Sequence, residues 1–219
     1  MRPFRVSWHF SQPICLSENR LHLDAILAWA NVNRAIGNGA SSADALALQE
    51  TLPLERVVGD SGQWIWKASS LSFTFSSPPF LVQCVRRTDI DTVAFARNSL
   101  IHTARTQLEK GTGPYKDFDL RFAVQWVESA TAYGVGEIEV IHGLLSIITS
   151  LGKLTRNGWG RISEFCVQED QDAETRWQWR TLPQWIELRS FENHCPGIST
   201  VRPPYWRREF QEPVWEYLG

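Results

Sequence analysis

Twice along its length the chain passes from a strand-period stretch into a helix-period stretch and back, and that alternation limits the architectures open to it. Phe4, Val6, Trp8 and Phe10 fall on one face of the first stretch, with Arg5, Ser7 and His9 on the other. This is the pattern of a half-buried strand. Gln12-Pro13 ends it. Leu23, Ile26, Leu27 and Ala30 then recur at helical spacing within Leu21–Arg34, and Gly37-Asn38-Gly39 stops that helix. Residues 40–62 are small, polar and acidic, and predict a loop with a short helical piece near Asp44–Glu50. Trp64–Lys67, Leu71–Phe75 and Phe80–Val85 return to strand, broken by Ser76-Ser77-Pro78-Pro79.

The second round begins at Leu120–Val127, which alternates as a strand. Glu137–Leu151 reads as a helix with Ile138, Ile141, Leu145 and Ile148 on one face. Glu137 and Glu139 lie in its first turn and Lys153 follows its last, as the helix dipole favours. Arg161–Val167 is a final clear strand. The order strand, helix, strand, insertion, strand, helix, loop, strand predicts an α+β, ferredoxin-like (RRM-like) β-α-β-β-α-β domain. One domain then spans residues 1–219. A long insertion occupies 86–119 and a C-terminal extension occupies 176–219. Residues 176–189 alternate Trp177, Trp179 and Trp185 with Arg176, Gln178 and Arg180, and predict an edge hairpin. The prolines of Val201–Arg208 forbid a regular helix, so this tail is expected to lie extended on the surface.

With 43% hydrophobic and 21% charged residues, the chain is ordinary for a soluble globular protein. Eleven tryptophans against one methionine are not, and most of the tryptophans are expected to pack in the core. The net charge of −2 is unlike a protein that binds nucleic acid by bulk charge alone. The distribution is uneven, however. Glu164, Glu169, Asp170, Asp172 and Glu174 form an acidic run, and Arg202, Arg207 and Arg208 form a basic one. Local fields decide more than the sum. Cys15, Cys84, Cys166 and Cys195 are not spaced for a zinc site or a disulfide framework, so free thiols in a reducing cytoplasm are expected. No apolar run reaches transmembrane length, and Met1-Arg-Pro-Phe4 does not open a signal peptide. No carboxylate cluster and no phosphate loop suggest a metal, an ATPase or another cofactor.

The segment Ser150–Arg161 combines features that suit a polyanion. Gly158 and Gly160 flank Trp159, Gly152 precedes them, and Lys153, Arg156 and Arg161 bracket the group with no acid before Glu164. Glycine lets a backbone approach a ligand and tolerates positive φ. The cations supply charge and the indole a stacking face. The competing reading is a helix C-terminal turn capped by Gly152. Trp159 is accordingly either a stacking platform or a packing residue. The insertion carries Arg86, Arg87, Lys110, Tyr115 and Lys116, the last three in the turn-rich tip Lys110–Lys116. These either meet RNA or form a solvated surface.

Three motifs together resemble the RAMP superfamily of CRISPR RNA-binding subunits: Leu21–Ala30, Leu151–Arg161 and Arg202-Pro203-Pro204-Tyr205-Trp206. The chain is most similar to the Cas-five-like subunit of type IV effector complexes. The resemblance implies a non-catalytic subunit that holds the 5′ handle of the CRISPR RNA and caps the row of backbone subunits. It implies contacts with those backbone RAMP subunits and with a large subunit, and only indirect contact with the target nucleic acid. RNA contacts would fall on Gly152, Lys153, Arg156, Asn157, Gly158, Trp159, Gly160 and Arg161. The family's projecting thumb would fall in residues 86–119. Two other readings stay open. A related RAMP branch cleaves CRISPR RNA with a histidine base, and His22 lies beside Asp24 at the start of the first helix. Asp24 itself is expected to cap backbone or to pair with a base. Alternatively, the tryptophans and acidic balance describe a protein-interaction module that does not touch RNA.

Overall fold

The computed structural model describes residues 1–16, 21–86, 117–188 and 193–218. The elements in chain order are β1 (Arg2–Phe10), α1 (Leu23–Gly37), α2 (Ala45–Gln49), β2 (Arg56–Val58), β3 (Trp64–Trp66), β4 (Ser72–Phe75) and β5 (Phe80–Arg86). There follow β6 (Phe118–Val124), β7 (Val127–Gly136), α3 (Ile138–Leu145), β8 (Ile162–Glu169), α4 (Ala173–Arg176), β9 (Leu182–Pro183), β10 (His194–Thr200) and β11 (Gln211–Tyr217). The chain is mixed α and β, with antiparallel sheets. It forms two compact units, Met1–Pro78 with Gln125–Gly219, and Pro79–Val124.

The main unit is built on a four-stranded sheet in the order β4-β7-β1-β8. β1 is antiparallel to β7 from Arg2↔Gly136 to His9↔Ser129, and to β8 from Phe4↔Glu169 to Phe10↔Ile162. Phe4, Val6 and Trp8 are fully buried on one face of β1, as the alternation predicts. Leu23 and Leu27 of α1, and Ile141, Leu144 and Leu145 of α3, complete the same core. Each fully buried side chain of this size contributes about 1.5–3 kcal/mol. The helical period therefore aims both helices at one sheet face. A smaller sheet, ordered β10-β11-β9, surrounds a second core of Ile65, Trp177, Leu182, Ile186, Val201 and Val214. In the second unit β5 pairs with β6 from Phe80↔Val124 to Arg86↔Phe118.

Several expectations are corrected. The stretch Leu120–Val127 is not one strand. The chain breaks at Gln125-Trp126, giving β6 on one side and the ten-residue β7 on the other. β7 carries Ala130, Ala132, Gly134 and Gly136, which let neighbouring chain approach closely. A Cβ on Gly136 would lie 2.4 Å from the Pro53 carbonyl oxygen, and one on Gly134 would lie 2.8 Å from Phe4. The second helix stops at Leu145 rather than Leu151. Among its described residues the segment 176–189 forms no hairpin of its own; it ends a helical turn and then supplies β9, which pairs with β11. The tail is not a surface strap. Val201, Pro203 and Pro204 are buried, and the chain continues into β11 beside β10. Only Trp8, Trp66 and Trp177 of the eleven tryptophans are buried, while Trp29, Trp126, Trp179 and Trp206 are exposed. The predicted insertion, 86–119, falls within the second unit, and most of it lies outside the described residues. Among the described residues no helix is long and apolar enough to cross a membrane.

Candidate nucleic-acid interface

The segment between α3 and β8 leaves and rejoins the sheet through paired backbone. Leu151 N–H donates to Gly160 O at 2.9 Å, and Ile162 N–H donates to Thr149 O at 2.9 Å. Its base is docked on the turn after β1, where Lys153 N–H donates to Cys15 O (2.7 Å) and Gly160 N–H to Pro13 O (2.8 Å). This close approach requires glycine. A Cβ on Gly152 would lie 2.6 Å from Cys15 O, and one on Gly160 would lie 1.9 Å from Leu151 O. Both have positive φ, +90° and +66°.

The tip is different. Leu154 adopts φ 59°, a costly left-handed conformation for a side-chain-bearing residue, and so turns the chain into the short 3-10 turn Thr155–Asn157. Gly158 also has φ +90°, but a Cβ there would meet open space. Lys153, Arg156, Asn157, Gly158 and Arg161 are exposed, and Trp159 is half-buried. Gly152 does not cap the preceding helix, which ends at Leu145 with Ser146 as its cap. Gly152 and Gly160 serve the fold, and only Gly158 stands where a ligand could approach backbone.

Electrostatics favour the same tip. The acidic run is partly neutralised within the chain: Glu169 pairs with Arg2 at 3.2 Å, Asp170 with Arg5 at 3.6 Å and Asp172 with Arg176 at 2.7 Å. Among the described residues Lys153, Arg156 and Arg161 make no ion pair. Their charge is available to an outside anion.

The open face of the main sheet is a poorer platform. Opposite the core it carries Arg5, Ser7 and His9 of β1 with Ser129, Thr131 and Tyr133 of β7 and Glu164, Cys166 and Gln168 of β8. These are mostly small or polar. Its aromatic, Tyr133, is covered: Arg176 donates to the hydroxyl at 2.8 Å and lies 5.1 Å over the ring, and Trp179 packs edge-on at 5.5 Å. Of these residues, that leaves a base the small exposed ring of His9 to stack on.

Arg86 is exposed at the end of β5 in the second unit. Arg87, Lys110, Tyr115 and Lys116 lie outside the described residues.

The sequence did not reveal a buried polar cluster beside the start of α1. Arg180 and Asp24 are both fully buried and 3.0 Å apart. Arg180 also donates to the carbonyls of Ala68 (2.8 Å) and Val201 (2.6 Å), and to the Tyr205 hydroxyl (2.5 Å). Tyr205 in turn donates to Asp24 at 2.8 Å. Burial alone would lower the Arg180 pKa, but Asp24 and Tyr205 hold it raised. Burial pushes the Tyr205 hydroxyl well above its ordinary value. The His22 ring stacks on Tyr205 at 4.5 Å and its Nδ1 lies 3.0 Å from Ser70 Oγ. The expectation that Asp24 pairs with a base is met by Arg180. Among the described residues no group of three His, Cys, Asp or Glu could hold a metal ion.

Compared with known protein families, residues 2–216 match the model described as CRISPR type IV associated protein Csf3. No curated protein matches the chain.

Proposed function

The chain belongs to that family, and on this premise we propose that it is a non-catalytic RNA-binding subunit of a type IV CRISPR effector complex in the cytoplasm, holding the 5′ handle of the CRISPR RNA and capping the backbone subunits. A RAMP-type, ferredoxin-like reading of the main unit is supported by its sheet order. Numbered along the β-α-β-β-α-β pattern, the order β4-β7-β1-β8 becomes 2-3-1-4, with both helices packed on one face.

The observation that carries the reading is the divided loop at 150–161. Its base is pinned to Pro13 and Cys15, so its tip is held in place before any ligand arrives. Its cations have no partner carboxylate among the described residues. Phosphate contacts from Lys153, Arg156 and Arg161 would fix the register of the strand. Trp159 would offer a face to a splayed base. His22 has a structural use, since its ring lies against Tyr205 and its Nδ1 bonds Ser70 Oγ.

The test is a complex purified with Lys153, Arg156 and Arg161 replaced together by alanine. The reading expects CRISPR RNA occupancy per complex to fall while the subunit still assembles. Full RNA occupancy in that variant would overturn it.

A further inference from the structure

On the main unit, cations and aromatic rings alternate in a continuous series that runs from the core to solvent. It starts at Trp66 on β3, which is buried. Arg56 on β2 places its guanidinium 4.7 Å from the Trp66 ring and 4.1 Å from Trp64. Arg202 follows, 4.5 Å from Trp64 and 5.0 Å from Phe210. Arg207 lies 5.7 Å from Phe210 and 5.6 Å from Trp206. Trp206 ends the series at 78% exposure. Trp64, Arg202 and Phe210 line one open cleft beside it, together with Gln63 and the carboxylates of Glu209 and Glu212.

The inner part of this series has a structural use. It fastens the 202–210 segment to the β2–β3 hairpin, each cation–ring contact contributing about 0.5–1 kcal/mol where exposed and more where dry. That use does not explain Trp206. A large ring standing in water and touching Arg207 adds little to the fold. The charges nearby are also lopsided. Residues 202–212 carry Arg202, Arg207 and Arg208 against Glu209 and Glu212. Glu209 pairs with Arg207 at 2.9 Å, but its side chain is 64% exposed, so an incoming phosphate can take its place at little cost. Glu212 accepts from Trp185 Nε1 at 3.2 Å. Arg202 makes no direct ion pair among the described residues, but it attracts Glu212, which lines the same cleft, so an incoming phosphate must compete with that carboxylate. A guanidinium held near two rings has already lost part of its rotamer freedom, so it binds a phosphate with less ordering cost.

We infer that the outer part of the series, Arg202, Phe210, Arg207 and Trp206, is a second nucleic-acid surface that takes a single strand, with a base stacked on Trp206 and phosphates on the edges of Arg207 and Arg202. It uses none of residues 152–161 and stands or falls independently of the role proposed for that loop. Stacking and phosphate contact are indifferent to sequence and to the 2′-hydroxyl, so single-stranded RNA and DNA bind alike, while a duplex, whose bases are already stacked, binds more weakly.

The experiment measures fluorescence anisotropy of the full chain with labelled oligonucleotides of about 15 nucleotides, oligo-U, oligo-dT and a duplex, a length that covers one such site. Trp206→Ala is expected to weaken single-strand binding roughly 5- to 100-fold, the loss of one stacked base. Trp206→Phe should restore most of it, and Arg207→Ala should weaken binding and flatten its salt dependence. Because the ring is exposed, Trp206→Ala should leave the thermal midpoint unchanged. The Trp206 effect must persist when Lys153, Arg156 and Arg161 are alanine, which separates this surface from the loop. Unchanged affinity in Trp206→Ala, or no single-strand binding by the wild-type chain at about 50 mM salt, overturns the inference. So does a Trp206→Ala chain that keeps its oligonucleotide affinity but no longer co-purifies with the other subunits, which would make the patch a protein interface.

Discussion

Asp24 and Arg180 stand 156 residues apart in sequence and 3.0 Å apart in space, and neither has any exposed surface. Their pairing binds the first turn of α1 to the chain entering β9. The same guanidinium reaches the carbonyls of Trp66, Ala68, Thr181 and Val201. One buried cation thus ties its own stretch of chain to three others, at Asp24, at 66–68 and at 201–205.

Removing one member of such a pair leaves the other charged and dry. Arg180→Met is therefore expected to destabilise the chain by about 3–5 kcal/mol. Asp24→Asn should cost a comparable amount, and the double variant should cost much less than the sum. Urea unfolding of the three variants checks this. Additive losses would mean that the two side chains do not act as a pair.

Tyr205 sets a pH limit on the same cluster. Its hydroxyl is pushed well above the ordinary value of 10.0, first by burial and then by Asp24, with Arg180 opposing. An unfolded chain releases this proton near pH 10, whereas the folded chain keeps it. The stabilisation is complete below pH 10 and drains away as pH rises beyond it, because the unfolded state then binds fewer protons. Tyr205→Phe should cost about 1–3 kcal/mol at neutral pH, for the lost hydrogen bonds. It should also lose stability less steeply than the wild type above pH 10. Denaturation midpoints measured between neutral pH and pH 11 distinguish the two; parallel curves would contradict the assignment.

The sequence disclosed the main unit well and this cluster hardly at all, for physical reasons. β1, α1 and β8 were legible because Phe4, Val6 and Trp8, and then Leu23, Leu27 and Ala30, repeat at the period of their element. β7 was not. Its Ala130-Thr131-Ala132-Tyr133-Gly134-Val135-Gly136 has small residues where strand signals want branched or aromatic ones, and they are small because Phe4, Pro53 and Ile141 press against the backbone. Arg180 misled in the opposite direction. It continued an alternation with Trp177 and Trp179 and so read as part of an edge hairpin. Its true partners, Asp24 and Tyr205, belong to distant segments that no local period can connect. In the loop, the spacing of Gly152, Gly158 and Gly160 was visible, but not which of them face chain and which face solvent.

That division of the glycines is open to measurement. Gly158→Ala meets open space and bears only the left-handed backbone cost, about 1–2 kcal/mol. Gly160→Ala bears the same cost and also drives a methyl to 1.9 Å from the Leu151 carbonyl oxygen. It should destabilise at least twice as much, or fail to give soluble protein. Equal stabilities by urea unfolding would mean that the loop base is not docked as described.

The loop cations make a prediction about salt that mere loss of packing could not imitate. If Lys153, Arg156 and Arg161 each neutralise one phosphate of a single strand, each contributes about 0.7 to the slope of log affinity against log salt. Replacing any one with alanine should reduce that slope by about this amount and weaken binding at low salt more than at high salt. Arg156→Lys keeps the charge and should keep the slope, even where the loss of planar guanidinium donors lowers affinity. Binding of a CRISPR repeat RNA, titrated at several salt concentrations with wild type and each single variant, gives the comparison. A triple variant with the wild-type slope would place the phosphates elsewhere on the chain, and the exposed tip around Gly158 would then have no anion to hold.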